Sequence, residues 1–197
     1  MKVLNLYAGI GGNRKLWEDV EVTAVEWDEK IAGIYSDFFP DDNVIVCDAH
    51  QYLLDHFKEY DFIWSSPPCP THSRARFWGF KNTDPVYPDM KLYEEILLLD
   101  NYYDGKWCVE NVIGFYEPLI KPQELGRHYF WTNFNIMRIK VGKTVHDGLD
   151  EMQERKMVDL SEYSGIDKRT ILRNCVEPEL GKVILDSAMG NTQQTLI

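Results

Sequence analysis

The strongest constraint on this chain is a repeated alternation in its first 120 residues. Short strand-forming runs at 3–7, 21–26, 43–48, 61–65 and 106–110 are separated by stretches with helical spacing at 13–20, 30–39, 51–58 and 88–100. A chain that returns to an extended segment after each helix builds a mostly parallel sheet with helices on both faces. The expected fold class is therefore α/β. After residue 120 the pattern changes. Residues 128–140 (HYFWTNFNIMRIK) are aromatic and β-branched with Thr132-Asn133 near the middle, which predicts a hairpin or two short strands around that turn. A polar stretch follows with a helix predicted at 149–160, and residues 179–189 read as an amphipathic helix behind Pro178. At 197 residues the chain can bury one substantial core, and no run approaches the roughly 18 apolar residues that span a bilayer. The N-terminus enters a strand directly, without the features of a secretory leader, so a cytoplasmic protein with no membrane partner is expected.

In a sheet of this kind ligands bind beyond the carboxyl ends of the strands. That places Gly9, Glu26, Asp48, Cys69 and Glu110 on one rim. Gly9-Ile10-Gly11-Gly12 lets backbone approach a nucleotide closely, but Arg14 stands where a dinucleotide fingerprint has its third glycine, which counts against a dehydrogenase. Glu26 and Asp48, ending the second and third strands, suit an adenosine-type ligand, although either alone also reads as a solvated strand-end carboxylate. Cys69 follows the fourth strand in the segment Ser65-Ser66-Pro67-Pro68-Cys69-Pro70, whose prolines restrict the backbone, and it is the candidate nucleophile. Nearby Arg74, Arg76 or Arg127 would favour its thiolate. Cys47, Cys108 and Cys175 read as small core residues. Four cysteines at irregular spacing form neither a metal pair nor a disulfide framework, so no metal is expected and a reducing interior is. Glu110 ends a buried strand, where desolvation raises the pKa of a carboxyl until it can share a proton with a ring nitrogen.

Net charge is −11, which excludes a uniformly cationic DNA-coating protein. The charge is segregated, however. Residues 71–81, 121–143 and 168–173 hold three, five and three Lys or Arg against a single acid, Glu124. Arg74, Arg76, Phe77, Trp78, Phe80 and Lys81 interleave cations with aromatics, as a local nucleic-acid contact requires, although the aromatics also read as core.

Taken in order, these residues resemble the motifs of the DNA cytosine-5 methyltransferase family. Leu6-Tyr7-Ala8-Gly9-Ile10-Gly11-Gly12 resembles the motif that contacts S-adenosylmethionine, with Asn5 where an aspartate is common. Glu26-Trp27-Asp28 resembles the ribose-binding motif, and Asp48 the adenine-reading aspartate. Pro67-Pro68-Cys69 resembles the catalytic Pro-Cys motif, with Pro70 in place of glutamine, and Glu110-Asn111-Val112 matches the Glu-Asn-Val motif. Gln123 and Arg127 fit the ends of a Gln-x-Arg-x-Arg motif whose middle arginine is Leu125 here. Asn174-Cys175-Val176-Glu177-Pro178 resembles the last motif, introduced by Arg173 instead of glycine.

The resemblance implies S-adenosylmethionine as cofactor, held by Tyr7, Ala8, Gly9, Gly11, Gly12, Glu26, Trp27, Asp48, Pro67, Asn174 and Val176. It implies DNA as partner, contacted by Arg74, Arg76, Lys81 and Asn111, with residues 71–81 as the loop over a flipped base. Cys69, Glu110 and Arg127 are then catalytic. The implied fold is the Rossmann-like methyltransferase fold with a small C-terminal helical and hairpin appendage, organised as a catalytic domain at 1–140, a reduced recognition segment at 141–173 and a returning helix at 174–197. Only about 33 residues stand where the family inserts its recognition region, which implies a very short site, a protein partner for readout, or a smaller substrate. Compact members of this kind imply a phage or prophage source. Two other readings stay open at this point: the same chemistry on RNA or a free nucleotide, and a non-catalytic cofactor-binding subunit. Oligomeric state is not legible.

Overall fold

Successive residues of each early strand face opposite helical layers, which is what sorts the apolar side chains. In the computed structural model, which describes residues 1–77, 84–139 and 148–190, Val3 of β1 (Lys2–Leu6) packs to one side and Leu4 and Leu6 to the other. Phe62 and Trp64 of β4 (Phe62–Ser65) divide from Ile63 in the same way, as does Cys108 of β5 (Lys106–Val112) from Trp107 and Val109. All of these are buried.

β2 (Glu21–Glu26), α1 (Glu29–Phe38), β3 (Asn43–Val46), α2 (Ala49–His56) and α3 (Lys91–Tyr102) complete the alternating region. β6 (Gln123–Leu125), β7 (His128–Thr132), α4 (Leu149–Lys156), α5 (Lys168–Asn174) and α6 (Pro178–Ala188) follow. Among the described residues the seven strands form one sheet in the order β3-β2-β1-β4-β5-β7-β6. The first five are parallel, β7 runs antiparallel to β5, and β6 antiparallel to β7. The α/β expectation holds. Strand order reverses between β1 and β4, the switch point at which a crevice opens in such sheets.

Three local expectations fail for identifiable reasons. Residues 13–20 are not a helix. They form successive turns in which Arg14 N–H donates to Gly11, Lys15 to Gly12 and Trp17 to Arg14, and Asp19 takes φ 55°. This short connection must drop Trp17 into the core, where its ring N–H donates to the Gly181 carbonyl at 2.9 Å. The hairpin turns at Gly126-Arg127, with Gly126 at φ 66°, and not at Thr132-Asn133. Asn133 closes the strand instead, accepting from Trp107 N–H at 3.2 Å and donating to Gly105 at 2.8 Å. Cys47 is half-buried rather than core, whereas Cys108 and Cys175 are buried.

The described part of the segment between the hairpin and α6 packs against α1 and the glycine turn that follows β1. Met152, Val158, Leu160 and Leu172 form one cluster with Ile10, Ile34 and Cys175. The Tyr163 hydroxyl donates to Asp37 on α1 at 2.9 Å, and its ring meets Phe38 edge-on. No helix among the described residues is long and apolar enough to cross a membrane.

Candidate active site

The glycine turn after β1 is shaped as much by packing as by any ligand. Tyr7, Gly9 and Gly11 take φ of 55°, 56° and 80°. A Cβ on Gly11 would lie 2.3 Å from the Phe39 ring, and one on Gly12 would lie 2.1 Å from the Cys175 sulfur and 2.5 Å from the Val176 carbonyl. Gly12 is therefore where the first motif and the returning chain touch. Gly12→Ala is expected to cost about 1–3 kcal/mol by overpacking, read as a lowered thermal midpoint. Gly9 is different: it lines the cleft, and a Cβ there would meet nothing within 4 Å. Buried Asn5 holds the turn from below, its carbonyl oxygen accepting from Asn13 at 2.8 Å. Arg14 forks onto Asp42 at 2.8 and 3.0 Å and lies over Phe39, so it braces the entry to β3.

Glu26 is fixed by three backbone donors. Its Oε2 accepts from Gly9 N–H at 2.9 Å, and its Oε1 accepts from Trp27 and Asp28 at 2.9 and 3.0 Å. Asp48 caps α2 through His50 and Gln51 N–H, which holds its carboxyl below the usual range, with Lys91 3.6 Å away. Tyr7 is anchored by its hydroxyl, which donates to the fully buried Glu95 at 2.6 Å. Glu95 also accepts from Ser65 and pairs with His50 Nδ1 at 3.0 Å.

Across the switch point, β4 delivers the Cys69 loop. The Cys69 carbonyl accepts from His72 and Ser73 N–H at 2.9 and 3.0 Å, turning the chain back. Asn111 on β5 donates to the Pro67 carbonyl at 3.0 Å, and Arg74 donates to Gly114 at 2.8 Å. The loop is thus stapled to the end of β5 at two points. Buried His72 sits between the Tyr116 hydroxyl and the Asp89 carbonyl, and burial lowers its pKa, so it is a neutral structural residue.

These parts surround one cleft of about 560 Å³. Tyr7, Ala8, Gly9, Gly12, Glu26, Trp27 and Asp48 line it from one side. Pro67, Cys69, Glu110 and Asn111 line it from the other, and Asn174 and Val176 close it. Gly11 lies behind this lining, against Phe39 and Tyr35. Burial, and secondarily the Glu110 carboxylate, push the Cys69 thiol up, so at neutral pH it is protonated. Among the described residues no arginine counters that shift. Arg74 is exposed and spends its Nε on Gly114, and Arg76 bonds the Asp84 carbonyl. Arg127 sits in the β6–β7 turn with its side chain exposed and outside the cleft lining, its carbonyl accepting from Ile113 N–H. The next residue, His128, faces the cleft in its place, with Nδ1 2.5 Å from Glu110 Oε1. Lys81 lies outside the described residues. Among those residues no cluster of His, Cys, Asp and Glu has the arrangement of a metal site.

A family model for C-5 cytosine-specific DNA methylases matches residues 1–116, which contain the glycine turn, Glu26, Asp48, Cys69 and Glu110. The chain belongs to that family. S-adenosylmethionine is the cofactor of C-5 cytosine methylases, and the residues of this cleft fit it: an open approach at Gly9, a carboxylate at Glu26 already oriented by amides, and an exposed indole at Trp27. No curated protein matches the chain. Among solved structures, a mutant of DNMT2 from Spodoptera frugiperda is 30% identical over 58% of this chain and 36% of its own, with TM-score 0.41. A hypothetical protein of a Thermus species is 16% identical over 66% and 73%, with TM-score 0.45. A SAM-dependent methyltransferase of Agrobacterium tumefaciens is 19% identical over 59% and 40%, with TM-score 0.39. The chain spans about a third of the length of DNMT2.

His128 is one of the cleft-lining residues that the sequence did not mark out, with Lys91 and Asp89 among the others. The signal for His128 was present in the strand alternation, since His128 and Phe130 share a face opposite Glu110 and Val112. Reading that face required the true turn position, which the sequence did not reveal.

Proposed function

We propose that this family member transfers a methyl group to carbon 5 of cytosine in DNA through a covalent adduct on Cys69. The observation that carries this reading is that Cys69, Glu110 and Asn111 line the same cleft as Gly9, Glu26 and Asp48. S-adenosylmethionine, when bound, supplies the electrophilic methyl group; Glu26 would hold its ribose, Asp48 its adenine, and Trp27 would stack on the ring. The protein's own residues prepare the pyrimidine. The Cys69 thiol passes its proton to the Glu110 carboxylate as its sulfur bonds to carbon 6 of an extruded cytosine. Glu110, sheltered from bulk water, protonates ring nitrogen 3, so the electron pair displaced by sulfur makes carbon 5 nucleophilic. Asn111 keeps the Cys69 loop at the distance this requires. When the proton on carbon 5 is later lost to a base, the carbon–sulfur bond breaks and Cys69 is freed.

The compact recognition region bears on the substrate. Residues 148–173 pack against α1 and the glycine turn, which supports a short site or readout supplied by a protein partner. The net charge of −11 favours a second reading, the same chemistry on RNA or a nucleotide. Labelled methyl transfer to duplex DNA, single-stranded DNA, structured RNA and cytidine nucleotides separates the two. Transfer to duplex DNA that vanishes in Cys69→Ala is expected, and transfer confined to RNA or nucleotides moves the assignment to the second. Glu26→Ala is expected to weaken S-adenosylmethionine binding about 10- to 100-fold, as measured by calorimetry, because an oriented charged acceptor is lost.

A further inference from the structure

The Glu110 carboxylate lies next to an imidazole that the cysteine chemistry does not itself require. β7 pairs with β5 so that Val112 opposes His128 and Glu110 opposes Phe130, placing Glu110 and His128 as diagonal neighbours on one face. Their side chains are 8% and 13% exposed, and Nδ1 approaches Oε1 to 2.5 Å. No sealed polar side-chain atom among the described residues lacks a partner, so Oε2 and the imidazole Nε2, which have none, open to the cleft both residues line. We propose that His128 is a positioning residue for Glu110: its Nδ1–H holds Oε1, turns Oε2 toward the pyrimidine and stabilises the carboxylate left when Glu110 gives its proton to ring nitrogen 3.

Proton balance is simple. The Glu110 carboxylate takes the Cys69 thiol proton as sulfur bonds to carbon 6, ring nitrogen 3 takes that proton in turn, and the restored carboxylate accepts the Nδ1–H already aimed at it. The charged groups around this pair come from three further elements. Glu177, ahead of α6, lies within electrostatic reach of His128 and is itself bonded to Lys156 and Arg155 of α4, so that carboxylate is already neutralised. Cys69 feels Glu110 from the β4 loop. The Phe130 ring, 6.1 Å away, closes the side toward the core.

The inference rests on the methyltransfer reading above, and its test has an arm that does not. Steady-state methyl transfer is measured against pH for the wild type, His128→Ala and His128→Asn, whose amide reproduces the Nδ1 donor without titrating. His128→Ala is expected to lose about 100-fold in kcat with KM for S-adenosylmethionine unchanged. His128→Asn is expected to recover most of that loss. No recovery in His128→Asn, or a defect in His128→Ala confined to KM, overturns the proposal. Independently of activity, ring-nitrogen NMR of the wild type is expected to show His128 protonated at Nδ1 near neutral pH, a signature changed in Glu110→Ala. A wild-type ring protonated only at Nε2 overturns it even if methyl transfer is found, and inactivity of the wild type on every substrate with the expected NMR signature faults the methyltransfer reading instead.

Discussion

Cys69→Ala is expected to reduce methyl transfer by a factor on the order of 10³ or more and to abolish covalent trapping on DNA carrying 5-fluorocytosine, with S-adenosylmethionine affinity retained. The sulfur is the protein's own covalent bond to the ring in this scheme, whereas the cofactor side of the cleft is built by Gly9, Glu26 and Asp48 on other strands. The pH behaviour follows from the cause of the thiol's shift. Burial and then the Glu110 carboxylate both oppose the thiolate, so alkylation of Cys69 by iodoacetamide is expected to be slow at neutral pH and to rise above the ordinary thiol range. Glu110→Gln removes one of the two opposing causes and is expected to speed alkylation at a given pH. Fast alkylation of the wild type at pH 7, or no change in Glu110→Gln, contradicts this account.

Lys156→Ala is expected to destabilise the protein by about 3–5 kcal/mol, lowering the thermal midpoint on the order of 10 °C. Lys156 is 2% exposed. Its ammonium donates to the Cys175 carbonyl and to Glu177 Oε2 at 2.7 Å, and Arg155 holds Glu177 Oε1. Removing it leaves a largely buried carboxylate short of a partner. Although burial pushes the Glu177 carboxyl up, Lys156 and Arg155 bring it below its ordinary range. Its folded-state pKa is thus depressed, so the stability it contributes is present at neutral pH and lost as pH falls through that lowered value. Lys156→Ala is expected to weaken S-adenosylmethionine binding as well, because Cys175 and Val176 form a wall of the cleft. In the double variant Lys156→Ala, Glu177→Gln the loss is expected to be smaller than the sum of the single losses; strict additivity in urea unfolding argues against the pairing.

Both expectations concern residues whose roles differ in how visible they were beforehand. Cys69 is conspicuous because prolines on either side leave its loop few conformations. Lys156 is not, since a lysine in a polar helix reads as solvated until tertiary packing brings Glu177 and the Cys175 carbonyl around it. The same contrast separates Glu110 from His128. The acid ends a buried strand and could be picked out from strand apolarity. The histidine needed the position of a turn that depends on Gly126 adopting positive φ.

Legible along the chain alone were the alternating architecture and the rim that Gly9, Glu26, Asp48, Cys69 and Glu110 share. Period-two and helical apolar spacing are local properties, and parallel strands must present their carboxyl ends together. The tertiary structure decided which cation or imidazole reached the acid, whether the thiol was activated, and where residues 148–173 went. Those outcomes depend on strand register, on competition among hydrogen-bond partners such as the Gly114 carbonyl that takes Arg74, and on desolvation. None of these is encoded in the spacing of residues along the chain.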